Sequence, residues 1–173
     1  MSTESAMSAM PAEPLAHLVA VLQPSLAMYL ADSGLGTYPG PDQIRLALAD
    51  LVADHRSLID RGTAILEERE VPVPKVFYPL SFTGLHDVDL RHFLPRIVAG
   101  LRRQTGELER IAAVADDASA AGLAAEALRS MPQHIDSLEQ IATRLRAGLL
   151  AKQGPDGPGG SGSEPPAAPP AAL

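Results

Sequence analysis

Apolar residues recur at helical spacing through most of this chain, in four blocks separated by Gly- and Pro-rich stretches. The first block, from about Glu13 to Asp32, puts Leu15, Leu18, Val19, Leu22, Leu26, Tyr29 and Leu30 on one side. Pro14 suits its first turn, and Gly34, Gly36 and Pro39-Gly40-Pro41 end it. The second, from Pro41 or Asp42 to Arg69, carries the stripe Ile44, Leu48, Leu51, His55, Leu58, Gly62 and Ile65. The third, from about Asp87 to Asp116, carries Leu90, Phe93, Leu94, Ile97, Val98, Leu101, Leu108 and Ile111. The fourth, from about Ser119 to Leu150, carries Leu123, Ala127, Met131, His134, Leu138, Ile141 and Leu145. No run alternates as a strand should; Val71 to Phe77 is short and broken by Pro72 and Pro74.

Connection lengths set the expected topology. Blocks one and two, and blocks three and four, are joined by short turns, which makes each pair an antiparallel hairpin. Between blocks two and three lies Glu70 to His86. At ~3.3 Å per extended residue such a segment reaches about 50 Å. A helix of about 25 residues is only ~38 Å long. The segment can therefore run the length of the molecule, with Phe77, Tyr78, Leu80 and Phe82 packing on it. The fold class expected is all-α: a four-helix bundle of two antiparallel hairpins joined by one long crossover, over residues 13–150. Residues 1–12 are expected to fray, and residues 151–173 form a tail of Gly, Pro, Ser and Ala that cannot bury enough apolar surface to order itself. Pro24, Pro95 and Pro132 fall inside the expected helices, where each removes a backbone hydrogen bond and bends its helix.

Composition then removes function classes. Cysteine is absent, which excludes disulfides, Cys zinc sites and thiol catalysis and fits a cytoplasmic protein. A net charge of −7 argues against nucleic acid as a partner. No apolar run approaches the ~18–20 residues of a membrane span. The N-terminal dozen residues lack the basic start and apolar core of a secretory signal. Aromatics, at 3% of residues, are too sparse for a stacking platform.

The polar residues worth weighing fall near the middle of the helical blocks. His55 and His134 lie within apolar stripes, Asp54 and Gln23 at stripe edges, and Gln104 inside the stripe of block three. Asp54-His55 and Gln133-His134 occupy matching places in the second helix of each hairpin. With this helix order and crossover, residues 13–150 resemble the ferritin-like superfamily. In its metal-binding members that resemblance implies a Glu on the first and third helices and Glu-x-x-His on the second and fourth. Here the histidines match His55 and His134, but the acid positions hold Val52, Met131, Leu22 or Gln23, and Leu101 or Gln104. A di-iron centre needs several carboxylates to neutralise two hard cations. The site expected is therefore one emptied of its acids, without ferroxidase or oxygenase activity.

Two readings of the histidines follow. In the first they are core residues satisfied by Gln104, Gln23, Asp54 or a carbonyl freed by a proline. The protein is then a non-catalytic structural or interaction module, with a second copy or another protein as partner and no cofactor. In the second, His55, His134 and Asp54 hold a single zinc or iron ion. A thiol-transferase-like family of two-hairpin bundles is also similar, but its last helix carries His-x-x-x-His, and Leu138 stands at that place. His17 and His92 read as surface residues, and Asp87 beside His86 reads as a helix cap. Arg96, Arg102, Arg103 and Arg110 read as a solvated face, with Glu107 paired to Arg110.

Overall fold

The computed structural model describes residues 13–75 and 77–152. The expectations for residues 1–12 and for the tail beyond Lys152 lie outside the described residues. Within them all regular structure is helical: α1 (Pro14–Leu22), α2 (Leu26–Asp32), α3 (Asp42–Glu68), α4 (Leu90–Val114) and α5 (Ala118–Lys152), with 3-10 turns at Leu35–Thr37 and Leu80–Phe82. None of these helices is by itself long and apolar enough to cross a membrane.

The first expected helix is two. Pro24 has no N–H to continue the ladder, and Ser25 restarts it by accepting the Met28 N–H on its Oγ at 3.1 Å. The axes of α1 and α2 diverge by 62°. Pro95 and Pro132 do stay inside α4 and α5. Helix α4 starts with its apolar stripe at Leu90 rather than at Asp87: Asp89, not Asp87, is its cap, accepting the Arg91 N–H at 2.9 Å. Helix α5 runs to Lys152, past the expected end of the helical body.

Paired side chains give the direction of each helix against its neighbours. On the α3–α5 seam Asp54 meets His134, Arg61 meets Glu126 and Arg69 meets Asp117. Ascending numbers on one helix face descending numbers on the other, so the two are antiparallel. The rungs of this ladder lie about two helical turns apart on α3. Arg102–Glu139 marks α4 against α5, and Arg69–Glu13 with Arg56–Asp32 marks α1 and α2 against α3. Helices α3 and α4 both pack against α5, and a short turn at Ala115–Asp117 joins α4 to it. The connection between α3 and α4 starts beside Asp117, near Arg69, and ends beside Pro39, whose carbonyl accepts the Leu90 N–H at 2.8 Å. Gly40 makes that docking possible. Its φ of 142° suits glycine, and an added Cβ would lie 2.9 Å from the Leu90 Cβ.

The core is aliphatic: Leu15, Leu18, Leu22, Leu30, Ile44, Leu48, Leu51, Leu66, Leu101 and Leu108 are among its fully enclosed members. The connecting segment packs only in part. Phe82 is buried and Tyr78 sits edge-on to Tyr29 with centroids 5.3 Å apart. Phe77 and Leu80, expected to pack, are 81% and 86% exposed. A segment without helical period has no rule for which apolar residue turns inward.

Tyr78 fastens the segment by donating its hydroxyl proton to Asp32, which also accepts from Arg56 at 2.7 Å. Burial, then the Asp32 bond, push the phenol well above its ordinary pKa. Tyr78→Phe is expected to cost about 1 kcal/mol, below the usual range for a bond to a charged group because the pair is part-exposed. Amide exchange should quicken selectively between α3 and α4; a uniform change over all helices would count against this anchoring role.

Candidate functional site

The five polar residues expected at mid-height do not form one cluster. His55, from the inner face of α3, is 1% exposed, and neither ring nitrogen has a hydrogen-bonding partner. His134 Nε2 lies 2.7 Å from Asp54 Oδ2, with the side chains 14% and 51% exposed. Gln104 is buried, but it bonds elsewhere, and Gln23 lines a separate recess with Asp32, Arg56 and Tyr78. The expectation that His55 is satisfied by Gln104, Gln23, Asp54 or a freed carbonyl is corrected: none of them bonds it.

Local causes account for each placement. Asp54 and His55 are adjacent on α3, so when His55 points to the core Asp54 lies about 100° around the helix, at the seam. There it meets His134 as the third rung of the Arg69–Asp117, Arg61–Glu126 ladder. Gln104 follows from the bend. The Pro24 break leaves the Val21 carbonyl without an intrahelical donor, and Gln104 Nε2 supplies one at 2.8 Å. Its Oε1 is buried without a partner.

The electrostatics follow from burial. Desolvation pushes the His55 imidazole down to about 4; nearby His134 adds to this and Asp54 partly offsets it. His55 is thus neutral at pH 7. Of the positions that the expected resemblance gives to metal-binding acids, Val52 and Met131 are buried and apolar, and the other two fall on Leu22 or Gln23 and on Leu101 or Gln104, of which Leu22, Leu101 and Gln104 are buried. A cation there would meet hydrocarbon on most sides and one neutral ring. Among the described residues no group of three His, Cys, Asp or Glu side chains is placed to hold a metal ion. His55, His134 and Asp54 are near enough to influence one another, but only His134 and Asp54 touch.

The remaining histidines divide simply. His17 and His92 are exposed, as their positions predict. His86 is exposed too, its ring stacked on Tyr38 with centroids 6.3 Å apart. Glu107 pairs with Arg110 at 3.0 Å.

The kinks at Pro24, Pro95 and Pro132 could open a central cavity by sequence; the space lies instead to one side, a groove of about 480 Å3 beside the α1–α2 break, lined by Leu26, Phe82, Arg96, Gly100, Arg103 and Gln104 among others. Pro24 and the buried position of Gln104 were its signals, but neither shows that a bend in one helix opens space against another. No family model, curated protein or solved structure matches this chain.

Proposed function

We propose that this protein is a non-catalytic structural or interaction module built as a ferritin-like four-helix bundle, two antiparallel hairpins joined by a long crossover, without a di-iron centre. The reading of topology is supported by the helix directions and by the connection that runs from the Arg69–Asp117 end to the Pro39–Leu90 end. One observation carries the functional half: the two acid places that precede the histidines are enclosed hydrocarbon, Val52 and Met131, and the other two, at Leu22 or Gln23 and Leu101 or Gln104, hold no acid. Asp54, the acid nearest His55 in sequence, turns to the seam and is held by His134. A protein partner or a second copy would meet the exposed Phe77 and Leu80 on the connecting segment.

A second reading has a specific observation behind it. His55 has two unpartnered ring nitrogens, and His134 with Asp54 lies beside it, so a single zinc or iron ion at these three residues is the alternative. Metal analysis of untagged protein, after incubation with zinc or ferrous iron and desalting, separates the two. The expected content is below about a tenth of an equivalent, because the three side chains do not converge as a ligand set: His55 is enclosed in the core, and Asp54 is already bonded to His134 at the seam. About one equivalent per chain, lost in His134→Ala, would establish the alternative instead.

A further inference from the structure

We propose that the groove beside the α1–α2 break binds a small amphipathic organic anion, with an apolar body against α2 and α4 and its charge between Arg96 and Arg103. The inference is independent of the reading given above. At about 480 Å3 the groove falls within the range that holds small ligands. Its floor is apolar, formed by buried Leu26, Ala27, Phe82, Ile97 and Leu101.

The charge pattern along α4 singles out the same place. Helix α4 has arginines at 91, 96, 102, 103 and 110. Arg91, Arg102 and Arg110 each pair with a carboxylate, Asp89, Glu139 and Glu107. Arg96 and Arg103, the two that line the groove, make no salt bridge among the described residues; Glu107, one turn beyond Arg103, lines it too, with its carboxylate on Arg110 at 3.0 Å. Arg96 is held in place rather than loose: its guanidinium lies 5.0 Å from the Phe82 ring centroid and donates to Ser81 Oγ at 3.2 Å. Two unneutralised guanidiniums over an apolar floor, on a chain of net charge −7, select for an anion with hydrocarbon attached. A simple inorganic anion would leave the floor uncovered.

Gln104 adds a polar requirement. It lines the inner wall, its amide N–H group is committed to the Val21 carbonyl, and its Oε1 is buried without a donor. A ligand N–H or O–H is the group that this oxygen lacks. Gly100, between the two arginines in sequence, keeps the space open. A Cβ there would meet only Arg103 Nη2, at 3.8 Å, so a side chain fits without disturbing the helix.

The test uses anilinonaphthalene sulfonate, which combines an aromatic body, one N–H and one sulfonate, against its uncharged parent phenylnaphthylamine. Titration of the full-length protein should show one saturable site, with the sulfonate bound about tenfold more tightly than the parent at low salt. Gly100→Phe should weaken both probes by at least ~tenfold while the melting temperature holds or rises, since glycine inside a helix is unfavourable. Arg96→Gln with Arg103→Gln should reduce the sulfonate to the affinity of the parent and leave the parent unchanged. These arginines are exposed, so that variant decides the matter even if Gly100→Phe fails to fold. Phe77→Ser with Leu80→Ser should leave binding as it was. No binding, equal binding of both probes, binding unaffected in folded Gly100→Phe, or binding removed by the Phe77 and Leu80 changes would each overturn the proposal.

Discussion

His55→Leu is expected to stabilise this protein, by about 2 kcal/mol at neutral pH, because it removes a buried donor and a buried acceptor that nothing in the fold satisfies. Leucine is of similar size and suits the aliphatic core around it. The gain should widen in acid. Unfolded histidine titrates near 6.5, whereas the folded His55 ring titrates at about 4 because burial penalises its cation. Between those values the unfolded chain holds more protons than the folded one. Stability is therefore lost as pH falls through that window, and the full loss of about 3 kcal/mol is reached below the folded value. Denaturant unfolding at pH 7, 5 and 4 tests this. The wild type should fall away from His55→Leu as pH drops; parallel curves would show that His55 is not the buried neutral ring described here.

The second large effect is expected at Gly62. This glycine lies in the C-terminal third of α3, where α1 and α5 both close in. An added Cβ would stand 2.8 Å from Val19 Cγ2, 3.6 Å from Leu15 Cδ1 and 3.8 Å from Leu123 Cδ1. All three neighbours are buried, and valine has little rotamer freedom with which to give way. Gly62→Leu should cost about 3 kcal/mol, at the upper end for an overpacked core. In a chain of this size that lowers the melting temperature by ~10 °C. Gly106→Ala and Gly122→Ala supply the contrast. Both positions are helical with nothing within 4 Å of the new Cβ, so each should stabilise by about 0.5–1 kcal/mol. A well-tolerated Gly62→Leu would mean that α1 does not sit as close to α3 as the structure has it.

How far the sequence can be read depends on which forces are local. The span of α3 was legible almost to the residue, because a clean apolar stripe runs between Pro41 and the chain reversal after Glu68. The burial of His55 and Gln104 followed from their place in such stripes. The break at Pro24 was not, since a proline alone predicts a bend; Ser25 turned the bend into a new start by offering its own cap. His134 was expected to be central but sits at the seam. Helix α5 is rich in alanine, so its apolar face is broad and its exact centre is poorly defined by pattern. The partner of Gln104 was beyond reach for a different reason. It is a carbonyl on another helix, freed by a distortion that only the folded structure reveals. The groove rests on the same event, and so do the roles of Arg96 and Arg103, which in sequence look like any other charges on a solvated face.

Arg69 has one more implication. It bonds Glu13 and Asp117 together, which ties the point where the chain enters the helical body to the first residues of α5. Helix α5 then runs uninterrupted to the point where the chain leaves. At 1.5 Å per residue, its 35 residues put entrance and exit ~50 Å apart, at opposite poles. Labels placed within the described residues, on Glu13 and Ala151, should therefore report a separation of about that length.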